Sequence, residues 1–289
     1  MSQVVILGAL ELGGIFAVLS LGLYISYKVL NIPDLTVDGS FTLGTAISAV
    51  FTMNSMPYLG ILASFVFGLV AGMVTGLLIT KLKIMPLLSG ILTMTGLYSI
   101  NLMIMNNTPT ISLFDQTTIF SSLDTITPYS KLIVIYVIVI LIVIILNLFL
   151  KTQLGLSLRA CGDNEAMVRA SSIDTDKMKV LGLALANGFV SMSGAIFAQH
   201  QSFADVNSGI GMMVIGLASI IVGMTFIKKE KIIFQLIAVV FGAIFYRAIL
   251  TVALQLGLPS GYLKLLSAIL VVIAIASTNG AFKRKKRRK

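Results

Sequence analysis

Apolar runs of membrane-spanning length dominate this chain, with short polar stretches between them. A bilayer core takes roughly 20 apolar residues per helix. Such runs fall at 4–28, 35–55, 57–80, 84–105, 131–150, 180–200, 208–227, 231–250 and 262–280. The pattern predicts an all-α integral membrane protein with about nine transmembrane helices. The second run is the exception. It opens Pro33-Asp34-Leu35-Thr36-Val37-Asp38-Gly39-Ser40, too polar to face lipid, and is the candidate for a broken helix. Backbone groups around Gly39 and Ser40 must then face protein or water.

Two stretches between the runs are long enough to fold. Residues 106–130 interleave Asn106, Asn107, Pro109, Asp115, Asp124 and Pro128 with Ile111, Leu113, Phe114, Ile119 and Phe120. That mixture predicts a short amphipathic element on the membrane surface. Residues 151–179 are the most polar stretch before the carboxyl end, and longer than a simple connection needs. There Asp163 suits a helix N-cap and Glu165 suits the first turn. Ala166 to Ala170 are mostly helix formers. A helix over 163–170 would be about 12 Å long at about 1.5 Å per residue. Asp174 reads as a second N-cap, opening the next span. Such a capped helix is rigid enough to transmit a push; the plainer alternative is a tie between two spans. Within the third run, Gly68, Gly72 and Gly76 make one small-residue groove that another helix backbone can approach.

Composition removes the soluble alternatives. Of 289 residues, 57% are hydrophobic and 11% charged, against about 25% charged in soluble domains. The net charge of +10 is concentrated, because the last seven residues, Lys283 to Lys289, are all Lys or Arg. After an apolar span such a tail reads as a cytoplasmic stop signal near anionic lipid rather than a nucleic-acid arm. With the tail inside, nine crossings put the amino terminus outside. Eighteen of the 21 basic residues then lie on the inner side, leaving Lys131, Arg247 and Lys264 near the outer face. The expected organisation is one membrane domain over 1–282, with an inner loop at 151–179 and a basic tail at 283–289. No positive segment precedes the first run, so that run is expected to stay in the protein. Cys161 is the only cysteine, which excludes an intramolecular disulfide and reads as a small buried thiol.

Candidate chemistry is sparse. Ionisable groups at membrane depth are costly and so mark function. Glu11, Asp38 and the neighbouring Ser40 are therefore the candidates for a translocation path. The structural alternatives are a protonated carboxyl for Glu11 and a helix N-cap for Asp38. His200, the one histidine, reads as an outer-loop residue beside Gln199, Gln201 and Asp205, and one histidine does not build a zinc site. No phosphate loop, H-E-x-x-H or G-x-S-x-G motif occurs. The chain is expected to hold no catalytic residue, metal or cofactor.

Three stretches carry a resemblance. The run Gly162-Asp163-Asn164-Glu165-Ala166-Met167-Val168-Arg169-Ala170, followed by Ile173-Asp174, resembles the cytoplasmic loop of ABC importer permeases. So do Gly209-Ile210-Gly211 through Gly216 to Gly223, and Pro33-Asp34 through Asp38-Gly39-Ser40 to Gly44. The family is the branched-chain amino acid/ribose permease group, the type II class of ABC importers. The likeness runs over about 5–280 and is strongest to tryptophan- or tyrosine-type permeases.

This resemblance implies a mechanism. Two permease copies, most simply a homodimer, form a path between them. Two separate ATPase subunits carry the ATP and Mg. An extracytoplasmic solute-binding protein delivers a small organic solute, such as an amino acid, to a multi-pass protein of the cell membrane. Gly162, Asp163, Asn164, Glu165, Ala166, Met167, Arg169 and Ala170 would couple to the ATPase, with Arg169 pairing to an acidic group there. Asp205, Asn207, Gly209 and Gly211 would lie at the outer gate and binding-protein dock. Two other classes stay open: an ion-gradient carrier using Glu11 and Asp38, and a membrane scaffold or enzyme working through its basic tail.

Overall fold

The computed structural model describes residues 3–121, 129–227 and 231–278. Helix α1 (Gln3–Leu23) runs on as a π-helical turn, Tyr24–Val29. There follow α2 (Thr36–Met53), α3 (Pro57–Thr80), α4 (Pro86–Ile104) and α5 (Ser130–Phe149). Two short helices, α6 (Gln153–Asp163) and α7 (Glu165–Ala170), precede α8 (Thr175–Gln201). Then come α9 (Met212–Phe226), α10 (Ile232–Gln255) and α11 (Leu263–Thr278). Strands β1 (Thr110–Ser112) and β2 (Phe203–Asp205) pair antiparallel, with Ile111 opposite Ala204.

Among the described residues six helices are long and apolar enough to cross a membrane: α1 with its π turn, α3, α4, α5, α8 and α10. Helix α9 is apolar but shorter. The local signals that start helices are ordinary ones. Proline occupies the first turn of α3 and of α4, where its missing N–H leaves no bond unmade. The Asp174 carboxylate accepts from the amides of Asp176 and Lys177 to open α8.

Glycine decides the packing. Helix α3 runs antiparallel to α8 with its small-residue stripe pressed on the α8 backbone. Gly68 faces Asn187 and Gly188, Gly72 faces Leu183 and Ala184, and Gly76 faces Val180. Helix α2 runs parallel to α8 on another side, Gly44 against Ser191 and Gly194 against Phe41. Helix α1 is buried along most of its length. It packs through Gly14 on Ile135 of α5, through Gly22 on Ala186 of α8 and through Gly13 on Ile244 of α10. In a bilayer, where helices gain little by hiding apolar surface from lipid, such close backbone approach supplies much of the association. Helix α5 shows the opposite face of the same physics. Its exposed residues, Ile133, Val137, Ile140, Leu141, Ile144, Ile145 and Leu148, are all aliphatic.

The polar second run is not broken inside its helix. The break precedes it. The chain leaves the π turn at one end of the bundle, with Leu30 against Gly182. It climbs as residues 30–35, and α2 begins about half-way along α8, beside Asn187. Asn187 Nδ2 donates to Asp34 Oδ2 at 2.7 Å, and Ser40 Oγ donates to Asn187 Oδ1 at 2.7 Å. Polar residues are needed here because a helix start lies inside the bundle, where its amides find protein partners rather than water. The Thr36 amide, for example, donates to Asp34 Oδ1.

The 106–130 stretch, expected to hold a short amphipathic element on the membrane surface, contributes strand β1 and a buried segment. Its described part covers the end of α8. Leu113, Ile119 and Phe120 are buried, and the Ile119 amide donates to Gln199 Oε1 at 3.0 Å. Pairing β1 with β2 satisfies backbone groups of this stretch. Asp124 and Pro128 in that stretch, Lys228 and Lys229, and the basic tail 283–289 lie outside the described residues.

Candidate functional site

Two regions at different levels of the bundle hold the residues singled out above. The first is the pair α6–α7. Helix α6 ends at Asp163, so the N-cap of α7 is Asn164, not Asp163. The backbone of Asn164 is extended, and its side chain accepts from the Met167 amide at 3.1 Å. The 151–179 loop therefore holds two helices meeting at Asn164, rather than one helix over 163–170. Val168 is buried and anchors α7, while Ala166, Met167 and Ala170 point outward, Met167 being 61% exposed.

Arg169 does not extend outward as a lone cation. Its guanidinium meets Glu165 Oε1 at 2.8 Å and Thr175 Oγ1 at 3.0 Å, and Lys179 Nζ meets Glu165 Oε2 at 2.7 Å. The hydrogen bond from Lys179 holds the Glu165 carboxyl below the usual carboxylate range. Exposed pairs of this kind contribute about 0–1 kcal/mol each, so they fix the angle of α7 on α8 more than they stabilise the fold. Cys161 is buried, and burial pushes its thiol up, which leaves it unreactive.

Helix α6 is tied to the bundle by backbone contact. A methyl group at Gly162 would strike the Val29 carbonyl, and Leu30 sits between Gly162, Gly182 and Leu158. The backbone of α6 thus lies directly against the π turn and the first residue of the climbing segment 30–35, with no flexible side chain between.

The second region surrounds Asp38. Its carboxylate accepts from the amides of Gly211 at 2.9 Å and Met213 at 2.8 Å, and so caps the start of α9 from another helix. Asp38 is an N-cap, as one sequence reading had it, but not of its own helix. The Thr42 hydroxyl accepts from the Gly209 amide at 3.1 Å, and Gly209 lies so close to the Asp38 carbonyl that no side chain fits. Gly211 has a φ of +90°, a conformation that glycine adopts without strain. Asp38 and Asn207 line one cavity of about 160 Å³ with Thr42, Tyr98 and Asn101. The structure therefore brings the path candidate Asp38 together with Asn207, Gly209 and Gly211. Asp205 stands one turn away, accepting from the Asn207 amide at 2.8 Å. Ser40 faces Asn187 rather than this cavity.

Glu11 and His200 pair with each other. His200 lies in the last turn of α8 rather than in a loop. Its Nε2 is 2.9 Å from Glu11 Oε2, both side chains are about nine-tenths buried, and its ring stands edge-on to Phe120. An acid on α1 and a base on α8 pair because each would otherwise be a lone polar group in an apolar bundle. Asp34 stood out in the sequence only as part of the polar opening of the second run, and Asn187, Tyr98 and Asn101 went unremarked. Asn187 stands alone among apolar and small residues of its span, and that isolation was the available signal. Among the described residues no three His, Cys, Asp or Glu side chains converge as metal ligands would.

The family profile described as "Branched-chain amino acid transport system / permease component" matches residues 5–275. The chain belongs to that permease family. It is a multi-pass membrane transport subunit of the branched-chain amino acid/ribose ABC type, not an enzyme. This permease is 40% identical over 266 residues to the tyrosine transport system permease protein of Clostridioides difficile, covering 92% of this chain and 88% of the relative. It is 24% identical over 276 residues to the ribose import permease protein RbsC of Haemophilus influenzae, covering 95% and 84%. A probable branched-chain amino acid transport permease protein, LivH of Methanocaldococcus jannaschii, is 22% identical over 292 residues, covering 95% and 89%. No solved structure matches the permease.

Proposed function

We propose that this permease is the membrane subunit of an ATP-driven importer that moves an amino acid, with tyrosine as the favoured cargo, into the cytoplasm. Two copies enclose the path, two ATPase subunits dock beneath α7, and an extracytoplasmic binding protein delivers solute near Asp205 and Asn207. The 40% identical relative named for tyrosine transport supports the cargo. The chain crosses the bilayer nine times, α2 and α9 included, with its amino terminus outside. In support, Lys28, Lys81, Lys151, Arg169, Lys177 and Lys231 gather at the end of the bundle that carries α6 and α7, as cytoplasmic ends do.

The observation that carries this reading is α7. It is a six-residue helix, capped by Asn164 and braced to α8 through Glu165, Arg169 and Lys179. It offers small and flexible apolar residues outward and has a backbone link through Gly162 to the climbing segment. Only a separate motor gives such a lever work to do. The ion-gradient alternative would ask Glu11 and Asp38 to bind ions while Glu11 is paired with His200 and Asp38 holds α9.

Vesicles carrying the permease alone are expected to take up no tyrosine under an ion gradient. Uptake should begin when the ATPase subunits, ATP and binding protein are added. Ala166→Trp with Met167→Glu should abolish the permease's stimulation of the ATPase while insertion and pairing persist. Sustained gradient-driven uptake by the permease alone would overturn the reading. A second result is expected at the joint. Gly162→Val forces α6 away from Val29, so solute moved per ATP hydrolysed falls about tenfold, within the range of allosteric coupling energies. Parallel measurement of uptake and phosphate release checks this.

A further inference from the structure

We propose that Arg247 is a subsite for a carboxylate, that of the amino acid which the permease moves. The inference rests on the importer reading above and adds to it where the solute is held inside the membrane and by which group.

It starts from a charge that the fold leaves unserved. Among the described residues, the carboxylates and the histidine buried in the bundle all have partners. Glu11 pairs with His200, Asp34 accepts from Asn187, and Asp38 accepts from the amides of Gly211 and Met213. The Arg247 guanidinium, by contrast, makes no hydrogen bond or ion pair with any described residue, and its Nε is shut off from water. What it has is the Phe16 ring, whose centre lies 5.6 Å from Cζ. A cation–π contact offsets only part of the cost of taking a guanidinium out of water. An anion that enters from outside the chain supplies the rest.

The direction of the side chain decides the occupant. Gly13 lies on Ile244 and Tyr24 reaches Gln235, so α1 and α10 run antiparallel. Arg247 is therefore level with the turn before Gly13, and Phe16 with the turn before Ile244. To lie over Phe16, the guanidinium turns back along α10 toward Ile232, as helical side chains lean toward their own N-terminus. The nearer end of α10, at Gln255, is the other way, about 12 Å off at about 1.5 Å per residue. An arginine that serves a lipid headgroup snorkels to the near surface, and this one does not. Its planar fork matches a carboxylate bidentately. Phe16 covers one face of the fork and leaves the edge. Arg247 and Phe197 are only half-buried, and Phe197 stacks on Phe16 with ring centres 6.1 Å apart. A solute whose carboxylate meets the guanidinium edge lays its side chain beside these rings, which suits an aromatic amino acid.

The test is equilibrium binding of radiolabelled L-tyrosine to the permease with its ATPase subunits in phosphatidylcholine liposomes. The deaminated 4-hydroxyphenylpropionate keeps the carboxylate and should displace tyrosine. Tyramine keeps only the ammonium and should not. Arg247→Gln should weaken tyrosine binding at least about tenfold, the loss expected for a hydrogen bond to a charged group. Arg247→Lys should recover part of it as a point charge. The Arg247→Gln protein should unfold no earlier than its parent, because removing a charge that no protein group serves relieves more than the ring contact gave. Displacement by tyramine overturns the subsite, as does undiminished binding by Arg247→Gln. Loss of tyrosine binding when phosphatidylglycerol replaces part of the lipid would give the guanidinium to a lipid phosphate and overturns it too. So does earlier unfolding of Arg247→Gln, which would mean that a protein carboxylate already serves the charge. No binding in a complex that still imports tyrosine with ATP overturns the subsite and leaves the importer reading standing. A complex that imports no amino acid overturns that reading by itself.

Discussion

Gly72→Leu is expected to prevent the bundle from assembling. Any Cβ at residue 72 would lie on the Leu183 carbonyl and 2.7 Å from the Ala184 Cα. Both obstacles are backbone, so no rotamer change makes room. Helices α3 and α8 must separate, and the contacts of Gly68 and Gly76 on the same stripe part with them. Overpacking in a well-filled core costs about 1–3 kcal/mol and sometimes more, and a helix pair forced apart along its length belongs at the upper end. A loss of about 3 kcal/mol shifts the folded-to-unfolded ratio by about a hundredfold. Thermal unfolding in detergent and the yield of monodisperse protein read the effect. Gly8→Leu is the matched control. Among the described residues nothing lies within 4 Å of a Cβ there, so stability should stay within about 0.5 kcal/mol. A Gly72→Leu protein as stable as the Gly8→Leu protein would refute the packing account.

Asn187→Leu is expected to have the next largest effect, and a different character. Asn187 is fully buried and serves three partners: it accepts from Ser40, and donates to Asp34 and to the Leu183 carbonyl at 3.0 Å. Leucine has similar volume but leaves Asp34 and Ser40 without their partner in the interior. Stranding a buried polar group costs about 1–3 kcal/mol, and more when it carries charge. The damage centres on the start of α2, which also presents Asp38 to α9. Transport should therefore fall further than stability does. Adding Asp34→Asn to Asn187→Leu removes the carboxyl that was stranded. It should recover more than about 1 kcal/mol relative to the sum of the single changes, a coupling typical of groups in one network. A double-mutant cycle on unfolding midpoints measures it, and simple additivity would show that the two residues are not linked.

The elements were mostly legible along the chain, and the reason is physical. A run of about 20 apolar residues is helical wherever it meets lipid, because its backbone has no other way to satisfy itself. The Asp174 cap and the buried Cys161 were equally local, and the groove of Gly68, Gly72 and Gly76 was visible as a periodic stripe. Where local signals competed, reading failed by a residue. Asp163 and Asn164 are both good caps, and only the bend between α6 and α7 selects Asn164. His200 followed a span and preceded polar residues, so it looked like loop. The deciding fact, a carboxylate on α1 within 2.9 Å, lies 189 positions away.

The amino-acid sequence by itself determined that the chain is a helical membrane protein, where most spans run and which polar stretch between spans forms helices of its own. Each of those rests on hydropathy or capping within a few neighbouring residues. Only the tertiary structure decided that α2 starts inside the bundle and that Asp38 caps a helix begun 174 residues later at Met212. Those outcomes depend on which backbones approach closely enough to exchange hydrogen bonds. That distance is set by glycines on facing helices and cannot be read from either helix alone.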